Sequence, residues 1–240
     1  MRSGSTTLLI DIGFSARETG RRLRQVGVEP EEITAILLTH EHGDHVAGAA
    51  VASRRWKVPI FCRPSVAVAA RLEDKGAGEV QDLPLKSFDL GTMAITPFSV
   101  PHDAVETVGF VVEAEGLRLG YATDMGQVTD TVVHHLSRCH ILAVEANHDV
   151  DMTRLGPYPW HLKERILGSR GHLSNEGTAE LLARAAGPET CKVVLTHLSD
   201  TNNTRELALS GAREGLDRSR NTTVDLEAAS QEGPGTAVRM

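Results

Sequence analysis

A run of seven residues that begins at Thr39 (T-H-E-H-G-D-H) restricts this 240-residue chain more than any other feature. The preceding apolar residues, A-I-L-L, predict a short buried strand, so the run forms the loop at a strand end. In such a loop His40 and His42 point the same way, whereas Asp44 and His45 turn toward a second point. The pattern therefore predicts two neighbouring divalent ions, each bound by one of these pairs.

Further metal ligands are expected where other strands end, because functional loops gather at such positions. Three residues follow predicted strands in this way: His102, Asp124 and His197. A carboxylate at Asp124 can bridge two cations and hold them roughly 3.5–4 Å apart, as hydrolytic two-metal sites require. The predicted donors are nitrogen and oxygen atoms only, so two zinc ions and two manganese ions are both compatible with the site.

Composition excludes several classes of protein and suggests a compartment. No apolar run reaches the roughly 18 residues of a membrane helix, and the first residues do not resemble a secretory signal. The formal net charge of −7 argues against bulk electrostatic binding of nucleic acid, but not against a nuclease whose metals supply positive charge. Cys62, Cys139 and Cys191 are odd in number and widely spaced, which favours a reducing cytoplasm.

The order of predicted elements indicates one domain over residues 1–220, followed by a polar, flexible tail over residues 221–240. Early strands alternate with helices, whereas the middle of the chain is rich in antiparallel strands. This order predicts two packed sheets with helices on both sides. The main predicted strands are Leu8–Ile10, Ala35–Thr39, Val58–Cys62, Met93–Val100, Val108–Glu113, Leu117–Ala122, Ile141–Glu145 and Cys191–Thr196. The main predicted helices begin at Ser15, Val46, Arg63, Val128, Ser174 and Thr204.

The spacing H-x-H-x-D-H, with the later histidines and the aspartate, resembles the metallo-β-lactamase fold superfamily. The resemblance implies an α/β (α+β) fold, an αββα sandwich of two mixed β-sheets flanked by helices. It also implies that one ion is bound by His40, His42 and His102, the other by Asp44, His45 and His197, and both by Asp124. Asp11, at the end of a predicted strand, matches the superfamily's early aspartate beneath the site.

Five further motifs resemble one branch of that superfamily, the YycJ/WalJ-like exonucleases, over most of the chain. These motifs are E-A-N-H-D at 145–149, G-P-Y-P-W at 156–160, L-K-x-R-I at 162–166, G-H-L-S-N at 171–175 and H-L-S-x-x-N-N at 197–203. The branch comprises bacterial 5′-to-3′ DNA exonucleases linked to mismatch repair. The resemblance thus implies a binuclear metal-dependent phosphodiesterase whose substrate is DNA.

Three residues are predicted to be catalytic. His172 precedes a helix that begins at Ser174, and helix N-termini favour anions, so it is expected to act as a general acid or a phosphate ligand. As general acid it would protonate the departing sugar oxygen. Asp124 is expected to hold the two ions together, and Asp44 to orient the attacking water as well as to bind metal.

Four residues are predicted to bind the substrate or to support the loops around it. Arg165 lies in the stretch 151–172, where a tyrosine and a tryptophan stand among four cationic residues. This stretch is interpreted either as a surface that grips phosphates and stacks a base or as a solvated helix face. His148 is expected either to face the substrate or to support a metal-binding residue. Asn202 and Asn203 are expected to contact phosphate or to stabilise their loop.

Other functions remain open on the sequence alone. The same metal ligands suit a ribonuclease or tRNA-processing enzyme, a small-molecule phosphodiesterase or a thioester hydrolase. A metal-binding module without catalysis is the alternative from another class. Metal content combined with an assay of nucleic acid hydrolysis separates these hypotheses.

Overall fold

Strands and helices of the chain fall into two units in the computed structural model, which describes residues 1–238. The first unit comprises Met1–Ala94, Ala104–Thr107 and the described residues from Ser230 onward. The second unit comprises Ile95–Asp103 and Val108–Ala229.

The first unit is built on a mixed five-stranded sheet. In order across the sheet, its strands are β1 (Arg2–Ser3), β2 (Thr6–Ile10), β3 (Ala35–Leu37), β4 (Ile60–Cys62) and β5 (Val80–Asp82). The strand β1 is antiparallel to β2, and the remaining neighbours are parallel. The unit also contains α1 (Ala16–Gln25), a 3-10 helix (Pro30–Glu32), α2 (Gly43–Val46), α3 (Ala49–Trp56), α4 (Pro64–Ala69) and β6 (Phe88–Leu90). Buried Ile36, Leu38 and Ile60 pack with Trp56 and Val66 in its core.

The second unit contains a mixed sheet in the order β12-β11-β10-β9-β8-β7. These strands are β7 (Met93–Ser99, which begins in the first unit), β8 (Val108–Ala114), β9 (Leu117–Ala122), β10 (Ile141–Glu145), β11 (Lys192–Thr196) and β12 (Asp225–Ala228). Strands β9 to β12 are parallel, and β8 is antiparallel to β9. The helices are α5 (Asp130–Leu136), α6 (Val150–Leu155), α7 (Trp160–Leu167), α8 (Asn175–Ala185) and α9 (Arg205–Arg218). Within residues 1–238, every helix is too short or too polar to span a membrane.

Polar residues follow directly on several parallel strands, and an unusual backbone conformation ends three of those strands. Asp11 follows β2, Asp124 lies two residues after β9, and His197 follows β11. Their φ angles are 60°, 56° and 57°, in the left-handed region. A non-glycine residue there costs about 1 kcal/mol, and aspartate tolerates it better than most residues. Such strain concentrates at functional sites, where surrounding contacts hold it in place.

The predicted helix from Val46 to Arg55 corresponds to α3, and only its first residue, Val46, lies in α2, whose other residues belong to the histidine loop. The break between α2 and α3 falls at Gly48, whose N–H donates to the carbonyl of Ile12 at 2.9 Å. A Cβ at Gly48 would lie 2.0 Å from the carbonyl oxygen of Phe14, so the backbones approach too closely for any side chain. This close approach holds the histidine loop against the segment after β2.

The predicted flexible tail, residues 221–240, contains a strand that the sequence analysis misses. Strand β12 pairs in parallel with β11, and Lys192 binds Asp225 and Glu227 at 2.8 and 2.9 Å. The backbone pairing and the two ion pairs offset the polar composition of the strand, while Ala228 is buried. The chain then returns to the first unit, where Arg22 donates to the carbonyl of Gln231. Residues 239 and 240 of the predicted tail lie outside the described residues.

Close packing of α8 against α9 depends on Gly215. A Cβ at this position would lie 2.4 Å from the carbonyl oxygen of Ala179 and 2.7 Å from its Cα. We expect Gly215→Ala to lower the free energy of unfolding by about 2 kcal/mol, because crowding a packed contact outweighs the gain in helix propensity. Denaturant unfolding followed by circular dichroism measures this change.

Gly211→Ala, in the same helix, is the matched control. Its Cβ would lie 3.1 Å from the carbonyl oxygen of Asn175, a contact that a small shift relieves. Since both substitutions gain the same helix propensity, we expect this variant to change the free energy of unfolding by less than about 1 kcal/mol. Equal losses in the two variants would contradict the packing explanation.

Candidate metal and catalytic site

In the first unit, Asp11 sets the proton positions of two predicted metal ligands. Its Oδ1 accepts from the Thr39 N–H, and its Oδ2 accepts from Thr39 Oγ1 and His45 Nδ1, at 2.7–2.8 Å. Because the Thr39 hydroxyl donates to Asp11, it must accept from His40 Nδ1, which lies 2.9 Å away. Both histidines therefore carry the lone pair on Nε2, the form in which imidazole binds metals.

The four predicted ligands of the histidine loop lie close together in the first unit. The ring of His40 lies 4.6 Å from that of His42 and 4.2 Å from that of His45, between centroids. The side chains of His40 and His45 are buried, whereas that of Asp44 is exposed and its Oδ2 lies 3.7 Å from His45 Nε2. A cluster of this composition is of the kind that binds a divalent metal ion.

In the second unit, Asp124 lies between two predicted histidine ligands. Its Oδ1 is 3.5 Å from His197 Nε2 and 3.8 Å from His102 Nε2. Two ligands of one tetrahedral zinc ion, each bound at about 2.1 Å, lie about 3.4 Å apart. The separation between Asp124 and His197 therefore fits two ligands of one ion.

The tautomers in the second unit also suit metal binding. His102 Nδ1 donates to the carbonyl of Gly171 at 2.9 Å, and His197 Nδ1 donates to Glu145 Oε1 at 3.1 Å. Each histidine thus carries its lone pair on Nε2, the atom nearest Asp124. Burial lowers the pKa of His102, which favours the neutral ligand form.

Glu145, the last residue of β10, is a site residue that the sequence analysis does not identify. Its buried carboxylate accepts four N–H donors: Oε1 from His172 Nδ1 at 2.7 Å and His197 Nδ1 at 3.1 Å, and Oε2 from the backbones of Met125 at 2.8 Å and Leu173 at 3.1 Å. Four donors occupy every acceptor position of a carboxylate. Two sequence signals fall on it: it is an acidic residue that ends an otherwise apolar strand, and it is the first residue of the E-A-N-H-D motif.

These hydrogen bonds also set the charge states of Glu145 and His172. Burial opposes ionisation of Glu145, but the hydrogen bonds from His172 and His197 outweigh it and hold the carboxyl pKa below its ordinary value. Burial likewise opposes protonation of His172, yet the hydrogen bond and charge of Glu145 raise the pKa of its imidazole. His172 is therefore held as a protonated or readily protonated group beside the predicted ligands.

The predicted catalytic residue His172 lies within the same cluster of the second unit. Its ring centroid is 5.1 Å from that of His102 and 5.2 Å from that of His197, and its Nδ1 is 3.7 Å from Asp124 Oδ1. With Glu145 it forms a group whose donor atoms all lie within 4.8 Å of one another: Asp124, Glu145, His172 and His197.

Three of the four residues predicted to bind the substrate or to support its loops are buried: His148, Asn202 and Asn203. Asn203 exchanges amide hydrogen bonds with Asn175 and donates to the carbonyl of Ala146, so its amide stabilises the loop after β11. His148 and Asn202 are each 1% exposed and offer no surface to a substrate. Loop position suggested substrate contact for these residues, but here the loops themselves are packed.

Arg165, the fourth predicted residue, is accessible. It lies near the end of α7, its side chain is 53% exposed, and its guanidinium forms a two-pronged ion pair with Asp103. Asp103 directly follows the predicted ligand His102, so the cation stands next to the cluster of the second unit.

We expect Glu145→Gln to lower the free energy of unfolding by about 2 kcal/mol. A glutamine side chain of the same size cannot accept all four N–H donors, so at least one buried donor loses its partner. Thermal unfolding monitored by circular dichroism measures the effect. Glu214→Gln, at an exposed residue of α9, removes the same charge where no buried donor is lost, and we expect it to unfold like the wild type. A Glu145→Gln protein as stable as this control would show that the four hydrogen bonds contribute little.

Comparisons with known proteins agree with this geometry. Residues 6–198 match the family model described as a Beta-lactamase superfamily domain. The exodeoxyribonuclease WalJ of Streptococcus pneumoniae serotype 2 (strain D39 / NCTC 7466) is 35% identical over 214 residues, which cover 87% of this chain and 79% of WalJ. The exodeoxyribonuclease YycJ of Bacillus anthracis is 33% identical over 217 residues, which cover 88% of this chain and 81% of YycJ.

A solved structure with a similar fold is the metallo-beta-lactamase fold protein YhfI from Bacillus subtilis. It superposes with a TM-score of 0.72 at 19% identity, over 95% of this chain and 86% of YhfI. The predicted αββα fold class, with two mixed sheets and flanking helices, is thereby confirmed. The family model and the two relatives establish that this chain belongs to the metallo-β-lactamase superfamily, in its WalJ and YycJ branch.

Proposed function

We propose that this protein is a binuclear metal-dependent phosphodiesterase that removes nucleotides from the 5′ ends of DNA. The observation that carries the proposal is the cluster around Asp124, where a hydrogen-bonded His172 and Glu145 pair stands beside metal-type ligands. The predicted enzyme class, a metal-dependent hydrolase, is confirmed by the family and its branch. The names of both relatives support an exonuclease of DNA; the direction of attack is our inference from the sequence motifs.

The proposed ligands are those of the sequence prediction: His40, His42 and His102 for one ion, Asp44, His45 and His197 for the other, and Asp124 for both. The tautomers of His40, His45 and His197 are fixed by hydrogen bonds and support this assignment. The 3.5 Å distance between Asp124 Oδ1 and His197 Nε2 also supports it. When bound, two divalent ions, zinc or manganese, would lower the pKa of a water and neutralise charge on the phosphate.

His172 acts as the general acid in this proposal. Its Nδ1 is engaged by Glu145, so the proton for the leaving group is held on Nε2. As the attacking water loses a proton to solvent and forms a bond to phosphorus, the bond to the sugar oxygen breaks and that oxygen takes the proton from Nε2. A proton from solvent then restores the imidazolium of His172. The buried charge of Glu145 keeps the ring oriented and stabilises its protonated form, as the carboxylate of a catalytic triad does for its histidine.

Two exposed side chains complete the proposed machinery. Asp44 can accept a hydrogen bond from the attacking water and hold it in line, since its carboxylate is open to solvent. Arg165 supplies a cation for substrate phosphate beside the cluster of the second unit.

End-labelled DNA and RNA, single- and double-stranded, with and without a 5′-phosphate, test the proposed reaction in Mn²⁺ or Zn²⁺. We expect a label at the 5′ end of DNA to be released at once as a mononucleotide, and DNA labelled at the 3′ end to shorten stepwise. Hydrolysis of RNA alone, or of a lactam or thioester alone, would overturn the proposal. A protein that binds two ions and hydrolyses no nucleic acid would favour the metal-binding module.

Substitution by asparagine separates metal binding from proton transfer. Asn tolerates the left-handed backbone at Asp124 but loses the bridging charge, so we expect Asp124→Asn to lose bound metal and activity together. His172→Asn should keep its metal while turnover falls by about 10²- to 10⁴-fold. Elemental analysis and the nuclease assay give the two readouts.

Exposed Asp217→Asn and His134→Asn, also in the second unit and outside the proposed site, carry the same chemical changes and should leave both readouts unchanged. Loss of metal from His172→Asn would instead identify that residue as a ligand.

We also propose that the enzyme acts on DNA under repair in the cytoplasm. The three cysteines, all within the described residues, form no disulfide, and burial raises the pKa of the Cys62 thiol to about 11. Loss of the gene should raise the spontaneous mutation frequency, and an unchanged frequency would contradict a repair role. Cell fractionation that recovers the protein outside the cytoplasm would contradict the compartment.

A further inference from the structure

The loop and helices that follow β10 expose two large apolar side chains. Leu155, at the end of α6, is 87% exposed, and Trp160, at the start of α7, is 65% exposed. The chain has two tryptophans, and the other, Trp56, is buried. An indole left in water forgoes the burial of a large apolar area, so neighbouring exposed apolar residues indicate a binding surface.

The segment 150–167, which we name the α6–α7 hairpin, is tied firmly together. Lys163 is buried, and its Nζ donates to the carbonyl of Arg154 at 2.7 Å, which joins α7 to the last turn of α6. Asp149 caps α6 through a hydrogen bond to the Met152 N–H at 2.8 Å. The exposed indole therefore stands on an ordered support.

The far end of the hairpin contacts the proposed general acid directly. The His172 N–H donates to the carbonyl of Ile166 at 3.0 Å. A Cβ at Gly171 would lie 2.1 Å from the carbonyl oxygen of Arg165 and 2.2 Å from that of Ile166. The backbone before His172 is thus packed on the last turn of α7, so the position of this helix and that of the catalytic side chain are coupled.

The length of α7 gives the spacing along the helix axis between Trp160 and Ile166, the residue that accepts the His172 N–H. Six residues separate Trp160 from Ile166, which is about 9 Å along a helix axis. Stacked nucleotides of one strand are about 3.4 Å apart, so about three nucleotides span that distance. Arg154, which is exposed, and Arg165, which is paired with Asp103, place cationic groups along the same hairpin, beside the acidic Asp151 and Glu164.

We propose that the α6–α7 hairpin binds the single-stranded part of the DNA substrate, with Trp160 stacked on a base about three nucleotides from the phosphate that is attacked. The proposal rests on the proposed exonuclease function and deepens it. Base–aromatic stacking tolerates any base, which suits an enzyme that advances along a strand. Cations on the same hairpin pair with the phosphates between the stacked base and the reacting group.

Kinetics of Trp160→Ala on single-stranded oligothymidylate test this role. We expect KM to rise about 5- to 100-fold with little change in kcat, because stacking contributes to binding and not to the reacting phosphate. Trp160→Phe keeps an aromatic face and should recover most of the loss. Phe14→Ala, at an exposed aromatic residue of the first unit, is the matched control and should leave KM unchanged.

A small substrate separates stacking from structural damage. Bis(p-nitrophenyl) phosphate is too short to reach Trp160, so its kcat/KM should be the same in Trp160→Ala and wild type. Binding of oligothymidylate should also quench the tryptophan fluorescence of the wild type, and Trp160→Phe should lose this quenching, since Trp56 is buried.

The possible outcomes separate the proposal that Trp160 stacks on a base from the proposal that the protein is an exonuclease. If Trp160→Ala hydrolyses DNA with an unchanged KM, or if KM rises equally in Phe14→Ala, the proposal that the α6–α7 hairpin binds DNA is wrong. The proposed exonuclease function would still stand. A parallel loss of activity on bis(p-nitrophenyl) phosphate would assign Trp160 a structural role and overturn the stacking. If the wild-type protein hydrolyses no DNA, both the proposed exonuclease function and the proposed role of the α6–α7 hairpin are wrong.

Discussion

The carboxylate of Glu145 is the group on which the site of the second unit depends. It is completely buried and accepts N–H donors from His172, His197, Met125 and Leu173. These donors come from the segments after β9 and β11 and from the segment before α8, so one charge joins three other stretches of chain to β10. A buried charge that loses a partner is strongly destabilising, and this cost fixes the geometry of the two histidines.

The first unit uses the same physical arrangement with a different carboxylate. Asp11 accepts from His45 Nδ1 and, through Thr39, determines the proton position of His40. In each unit a carboxylate at or directly after the end of a strand holds Nδ1 protons and leaves Nε2 lone pairs for metal. Orientation of this kind typically changes metal affinity by 10- to 100-fold, which accounts for keeping strained residues such as Asp11 in the left-handed conformation.

Local patterns predicted the elements and ligands that depend on neighbouring residues. The apolar strand Ile141–Glu145 was predicted with its observed bounds, and the histidine loop stood out because its ligand-type residues are dense. Strand Asp225–Ala228 was missed because its pairing with β11, not its polar sequence, stabilises it. The role of Glu145 was missed because its donors lie up to 52 residues away. The sequence left two roles open for Asn203, because its amide partner Asn175 lies 28 residues away.

The protonation of the histidine rings is the most direct test of this account. Long-range ¹H–¹⁵N correlation spectra of the zinc-loaded protein, with His172 and His197 assigned by substitution, report which ring nitrogen carries the proton. The account predicts a proton on Nδ1 of both residues, shared with Glu145, and a metal-shifted Nε2 in His197. A proton on Nε2 of His197, with Nδ1 unprotonated, would contradict it.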